Sequence, residues 1–163
     1  MQSVYNYSFD QLVEFLESIG EKKFRATQIF EWLYRFRVSS FDEMTNLSLK
    51  TIEKLKEHLF IDELETSEKE VSKDGTTKFL FKLKDDRFIE TVLMRHNYGN
   101  SICVTSQVGC NMGCAFCASG ELGKIRNLTL SEMVLQVLMV QKELDKEEKR
   151  VSNIVVMGIG EPF

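Results

Sequence analysis

Over the first 60 positions, apolar residues recur every three or four places. In "SFDQLVEFLESIG", Leu12, Phe15, Leu16 and Ile19 share one helical face. That spacing predicts a helix opened by Ser8 as N-cap and closed at Gly20. "KFRATQIFEWLYRFRV" predicts a second helix with Phe24, Ile29, Leu33 and Phe36 inward. Trp32 and Tyr34 read as core or part-buried residues rather than base-stacking platforms. "SFDEMTNLSLKTIEKLKEHL" predicts a third helix capped by Ser48, with Ile52, Leu55 and Leu59 inward. From about residue 62 the period drops to two. "TKFLFKLKD" sets Phe79 and Phe81 against Leu80 and Lys82, with Asp74-Gly75 as a hairpin turn and Asp85-Asp86 as the next. "RFIETVLMRH" and "SICVTSQ" read as further strands.

The helical period then returns in "LTLSEMVLQVLMVQKELDKEEKR", capped by Thr129 or Ser131 and burying Met133, Val134, Val137, Leu138 and Val140. "VSNIVVMGIGEP" is a continuous apolar run, as expected of a parallel strand buried on both faces. Residues 101 to 162 therefore spell strand, cysteine loop, helix, strand: one βαβ unit. The expected class is α+β followed by α/β. A helical module spans 1–61, a β-hairpin region 62–99, and an α/β segment 100–163. The sequence stops directly after a strand and its glycine turn, so it is expected to be part of something longer, with Val155 and Met157 partly exposed and the chain tending to self-associate.

With 43% hydrophobic residues, the chain of 163 can build a real core. A net charge of −4 argues against coating nucleic acid by bulk charge, while leaving a local basic face open. No run of 18 apolar residues suits a bilayer, and "MQSVYNYSFD" lacks the features of a signal peptide. A cytoplasmic chain with no membrane partner is expected, a compartment where thiols stay reduced.

That expectation sharpens the meaning of "VGCNMGCAFCASG", which puts Cys110, Cys114 and Cys117 within eight residues. Three thiolates on one loop leave the fourth position of a metal group open, which is how such a group binds an outside ligand. Gly109 and Gly113 allow close backbone approach, and Phe116 is placed to shield a cluster from water. Spacing by itself leaves other readings open: thiols packed in a core, or a zinc site completed by His96 or a distant residue.

The wider context resembles the RlmN/Cfr family of radical S-adenosylmethionine RNA methyltransferases. "SICVTSQVGCNMGCAFCASG", "GKIRNLTLSEMVLQV" and "VVMGIGEPF" carry the resemblance, together with "DGTTKFLFKL" and "IETVLMRHNYGN". It implies that Cys110, Cys114 and Cys117 hold a [4Fe-4S] cluster and that S-adenosylmethionine chelates its open iron. Gly160 and Glu161 of "GEP" would contact the methionine part, Glu161 accepting from the ammonium. Cys103 would resolve a covalent protein–RNA intermediate by forming a disulfide, and Glu90 would take the ring proton, its pKa raised in a dry site. Without the resemblance, Cys103 reads as a small strand residue and Glu90 as the solvent face of an edge strand. The methyl-carrying cysteine of the family lies beyond Phe163. The chain therefore corresponds to the first βαβ unit of a (β/α)6 barrel and is expected to be inactive alone.

The implied substrates are 23S rRNA and tRNA, methylated at adenine C2, with a flavodoxin- or ferredoxin-like electron donor. An unstacked base must reach a buried radical. Lys22, Lys23, Arg25, Arg35, Arg37, Lys124 and Arg126 are candidate phosphate contacts. Competing readings are a Cfr-like adenine-C8 methyltransferase, disfavoured by "GIGEP", an iron–sulfur radical activase or electron carrier, and a non-enzymatic RNA-binding piece.

Overall fold

The computed structural model describes residues 1–120 and 123–162 and divides into two compact units, Met1–Glu63 and a second that begins at Leu64. The first is helical. Strand β1 (Gln2–Ser3) precedes helices α1 (Phe9–Ser18), α2 (Phe24–Phe30) and α3 (Leu49–His58), and β2 (Leu59–Phe60) returns to pair with β1 in parallel. Ser8 caps α1 by accepting from the Gln11 N–H while Gln11 reaches back to the Ser8 N–H, a reciprocal pair that satisfies two otherwise orphaned donors. Gly20 closes the helix at φ 75°. Ser48 caps α3 as expected. Leu59 is buried but belongs to β2, not to the helix.

The second helix departs from its predicted face. It stops being α-helical at Phe30 and continues as a wider π turn over Glu31–Phe36, ending at Arg37 with φ 55°. The wider turn breaks the 3.6-residue register. Ala26, Ile29 and Leu33 stay buried, whereas Phe24 and Phe36, expected inside, are each 52% exposed. Trp32 and Tyr34 are part-buried.

The second unit is built on a five-stranded sheet. Across it run β3 (Glu65–Val71), β4 (Thr77–Lys82), β5 (Phe88–His96), β6 (Gly99–Cys103) and β9 (Val151–Val155), neighbours in that order. The first three pairings are antiparallel and β6 with β9 is parallel, joined through helix α4 (Leu130–Asp145). The segment set apart at 62–99 thus shares one sheet with the segment after it. Gly75 at φ 83° and Asp86 at φ 60° make the two predicted hairpin turns. β3 carries no apolar alternation and every residue in it is exposed. Phe79, Phe81, Ile89, Leu93 and Ile102 form the buried face.

Three further expectations are corrected. α4 buries Ser131, Leu135, Gln136, Leu138, Val140 and Leu144, while Met133, Val134 and Val137 are only half-buried. Its buried stripe includes a glutamine because that side chain has backbone to bind. β9 is not buried on both faces: it is the outermost strand, with Ser152, Asn153 and Ile154 exposed. Val155 is half-buried and Met157 is 78% exposed, as anticipated. The strand predicted to run through Gln107 leaves the sheet after Cys103. Gln107–Val108 form a separate short strand, β7, that pairs with β8 (Arg126–Asn127).

Candidate functional site

Alternation along the sheet sorts the candidate residues by face. Ile89, Thr91 and Leu93 of β5 point into the core, so Glu90, Val92 and Met94 lie on the opposite face. Val92 is directly across from Cys103, and Glu90 lies two residues along the same face of β5. The sheet therefore brings Glu90 and Cys103 to one side. Leu80 is the cross-strand partner of Glu90, and Lys78 sits beside it, its Nζ 3.5 Å from Glu90 and 3.1 Å from Glu70. The carboxylate of Glu70, followed by that of Glu90, raises Lys78 above the ordinary lysine value. Glu90 was expected in a dry site. Its side chain is instead 44% exposed and has an ammonium beside it.

Past Cys103 the chain forms a buried stem, residues 104 to 108. The Val104 N–H still donates to Val155 O at 2.9 Å. Gln136, fully buried, then takes both peptide groups of Thr105: its Oε1 accepts the N–H at 2.8 Å and its Nε2 donates to the C=O at 2.9 Å. The Ser106 and Gln107 N–H groups both donate to Ile159 O, at 3.0 and 3.2 Å. The Gln107 side chain donates to Glu161 O at 3.1 Å and accepts the Glu161 N–H at 3.2 Å. A Cβ on Gly160 would meet Ser106 Oγ and Gln107 Cβ at 2.7 Å, so the turn fits against the stem only as glycine. Gly160 and Glu161 are therefore held beside the segment that leads to Cys110.

The cysteine loop rises from that stem. Gly109, at φ 74°, passes so close to Gly123 that a Cβ would lie 1.8 Å from its carbonyl oxygen. β7 and β8 close the base, with Ile125 N–H donating to Val108 O at 2.8 Å. Cys110 is buried, Cys114 and Cys117 are exposed, and none of the four cysteines is in a disulfide. The Cys117 N–H donates to Cys114 O at 3.1 Å, turning the two thiols into one bend. Among the described residues no three Cys, His, Asp or Glu side chains converge closely enough to hold a metal. The donor set nonetheless fits an iron–sulfur group by its chemistry: three soft thiols on one short loop, two of them at the surface. Phe116, expected as a shield, is 95% exposed. His96 is exposed and stacked on Tyr98, away from any ligand cluster among the described residues.

Arg126 is not available as a phosphate contact. Its guanidinium grips Glu132 with two bonds of 2.8 Å and donates to Asp85 at 2.9 Å. Burial by itself raises Glu132, but Arg126 and the Thr129 backbone N–H outweigh it and hold the carboxyl below its ordinary value. Lys124 is exposed and remains a candidate. In the helical unit, Phe9, Phe30 and Tyr34 line a groove of ≈ 790 Å³ with Arg35 and Arg37. Phe9 meets Phe30 edge-on at 5.2 Å, and Phe30 meets Tyr34 at 5.0 Å.

Sequence reasoning missed Thr105, Gln136 and the Arg126–Glu132–Asp85 brace. Gln136 had a legible signal, an amide inside the apolar stripe "VLQVL". The brace had none, because Asp85 is 41 residues from Arg126.

Residues 3–61 match the family model described as the ribosomal RNA large subunit methyltransferase N-terminal domain. The chain is 58% identical over 161 residues to a protein of Bacillus velezensis named probable dual-specificity RNA methyltransferase RlmN. It is 59% identical over 162 residues to proteins of the same name from Staphylococcus aureus strains. In each case 99% of this chain is covered and 44% of the relative, so it spans less than half the length of the curated relatives it matches. A crystal structure titled as a radical SAM methyltransferase from Sphaerobacter thermophilus superposes with a TM-score of 0.91 at 39% identity, covering all of this chain and 48% of that one. The resemblance drawn from the cysteine and Gly-Glu-Pro motifs thus holds along nearly the whole chain, which matches the N-terminal portion of the RlmN RNA methyltransferases.

Proposed function

We propose that the full-length protein is a radical S-adenosylmethionine methyltransferase acting on C2 of an adenine in 23S rRNA and in the tRNA anticodon loop, in the cytoplasm. The observation that carries this reading is the stitching of the Gly160-Glu161 turn to the stem of a three-cysteine loop, in a chain 58–59% identical to RlmN relatives. Cys110, Cys114 and Cys117 would hold a [4Fe-4S] cluster. When bound, and fed by a flavodoxin- or ferredoxin-like donor, that cluster supplies the electron for reductive cleavage of S-adenosylmethionine. Gly160 lets the backbone approach the cofactor and Glu161 accepts from its ammonium. Glu90 takes the proton from the adenine ring, its side chain half-exposed on this face with the Lys78 ammonium 3.5 Å away. Cys103, on the same face of the sheet, attacks to release the methylated base, forming a disulfide with a cysteine outside this sequence. The sheet would be the opening of a (β/α)6 barrel, with this face inside.

RNA would also touch the helical unit. Its groove offers aromatic faces for an unstacked base and two arginines for phosphate, the pairing that single-stranded RNA recognition uses. Arg35 already pairs with Glu31 at 2.7 Å, so phosphate would have to exchange for that partner.

Anaerobic reconstitution with iron and sulfide tests the reading. Four irons per chain, with a spectral change on adding S-adenosylmethionine, are expected. One zinc per chain, with no iron taken up, would overturn it. Mass mapping of the methylated adenine separates C2 from C8.

A further inference from the structure

Thr105 stands where the strand bearing Glu90, the strand bearing Cys103 and the turn bearing Gly160 and Glu161 meet. Its Oγ1 donates to the backbone carbonyl of Glu90 at 2.6 Å and accepts the Ile159 N–H at 3.2 Å. Gln136 fixes its peptide from α4 and also accepts from Thr91 Oγ1 at 2.8 Å. Cys103 lies two residues before Thr105 and Cys110 five after. The neighbouring turn fits tightly: a Cβ on Gly158 would come within 2.7 Å of Thr105 Oγ1. Thr105 is 0% exposed, as is Gln136, so neither hydrogen-bond set competes with solvent. One hydroxyl thus ties the strand bearing Glu90 to the turn bearing Gly160 and Glu161, while one amide pins that hydroxyl in place.

We infer that Thr105, held by Gln136, is a positioning residue that sets the spacing between the cofactor-contacting turn and the cysteine loop. The inference rests on the function proposed above. It assigns Thr105 no contact with substrate. Removing its hydroxyl should let the 158–161 turn drift from the stem, weakening cofactor binding while leaving the cysteines able to load.

The test uses the full-length protein, reconstituted anaerobically, as wild type, Thr105→Val and Thr105→Ser. Valine keeps shape and burial and loses only the bridging oxygen. Serine keeps the oxygen. In Thr105→Val, the dissociation constant for S-adenosylmethionine should rise about tenfold, the loss of roughly one buried hydrogen bond. Iron per chain should not change, and amide exchange at Ile159 should quicken. Thr105→Ser should restore the affinity and the slow exchange. Wild-type affinity in Thr105→Val overturns the inference and leaves the proposed function intact. Parallel loss of iron and cofactor in Thr105→Val, unrestored by serine, also overturns it in favour of a scaffold role. A wild-type protein that takes up no iron removes the proposed function and the positioning role with it.

Discussion

Residues 104 to 108 are all buried, and residues 111 to 118 are all exposed, although two residues separate them. The stem is bonded on every side, to β9, to α4, to the 158–161 turn and to β8. The loop above it turns on the bond from Cys117 to Cys114 and is anchored by Lys124 N–H to Asn111 at 2.6 Å. The stem is therefore built by the protein for itself, and its geometry is set by interactions that already exist. The loop presents its chemistry outward. Pre-organising the support while leaving donors accessible is what a site needs if it is to receive a group without distorting the fold around it.

That contrast can be broken hardest at the boundary. Gly109→Ala adds a Cβ where a carbonyl oxygen sits and forces a left-handed conformation on alanine. A loss of about 4 kcal/mol in denaturant unfolding is expected from strain and overlap together. Within the stem, Gln136→Leu leaves both peptide groups of Thr105 and the Thr91 hydroxyl without their buried partner. A loss of about 3 kcal/mol is expected by the same measurement. If it costs nothing, the stem is not held from α4.

A third change sharpens the comparison through pH. The carboxyl of Glu132 is held below its ordinary value of 4.5, so the folded state binds fewer protons there than the unfolded chain. That stabilisation is fully present above pH 4.5 and is lost as pH falls through the depressed folded value. Asp85, lowered chiefly by its bond to Arg126, behaves in the same direction from 3.8. Arg126→Met should therefore flatten the fall in denaturation midpoint between neutral and acid pH. The smallest effect belongs to the loop: Cys114→Ala should change stability by less than about 0.5 kcal/mol, since an exposed side chain is removed. The same variant should fail to hold a full complement of iron. Matching stability losses at Cys114 and Gln136 would erase the distinction between loop and stem.

Local chemistry is legible in the order of residues alone. Ser8, Ser48 and Thr129 cap their helices because a side-chain oxygen next to an apolar stripe satisfies local N–H groups wherever the rest of the chain goes. Asp74-Gly75 turns the hairpin for a similarly local reason, as Asp74 accepts from the Thr76 N–H and Gly75 takes positive φ. β3 is not legible in that way, since "ETSEKEV" is exposed throughout and is a strand only because β4 pairs with it. The exposure of Phe24 and Phe36 is also hidden, because a π turn changes the register without changing composition.

By itself the sequence determined the three-thiol loop, the Gly-Glu-Pro turn, the capped helices and the alternating faces of β4 and β5, all of which depend on neighbours within a few positions. Only the tertiary structure decided that Glu90 and Cys103 share a face, that Arg126 belongs to Glu132 and Asp85, and that Thr105 joins the turn to the stem. Apart from the Arg126–Glu132 pair, six positions apart, those outcomes hang on strand register and on hydrogen bonds between residues 15 to 54 positions apart, whose geometry exists only once the chain has closed on itself.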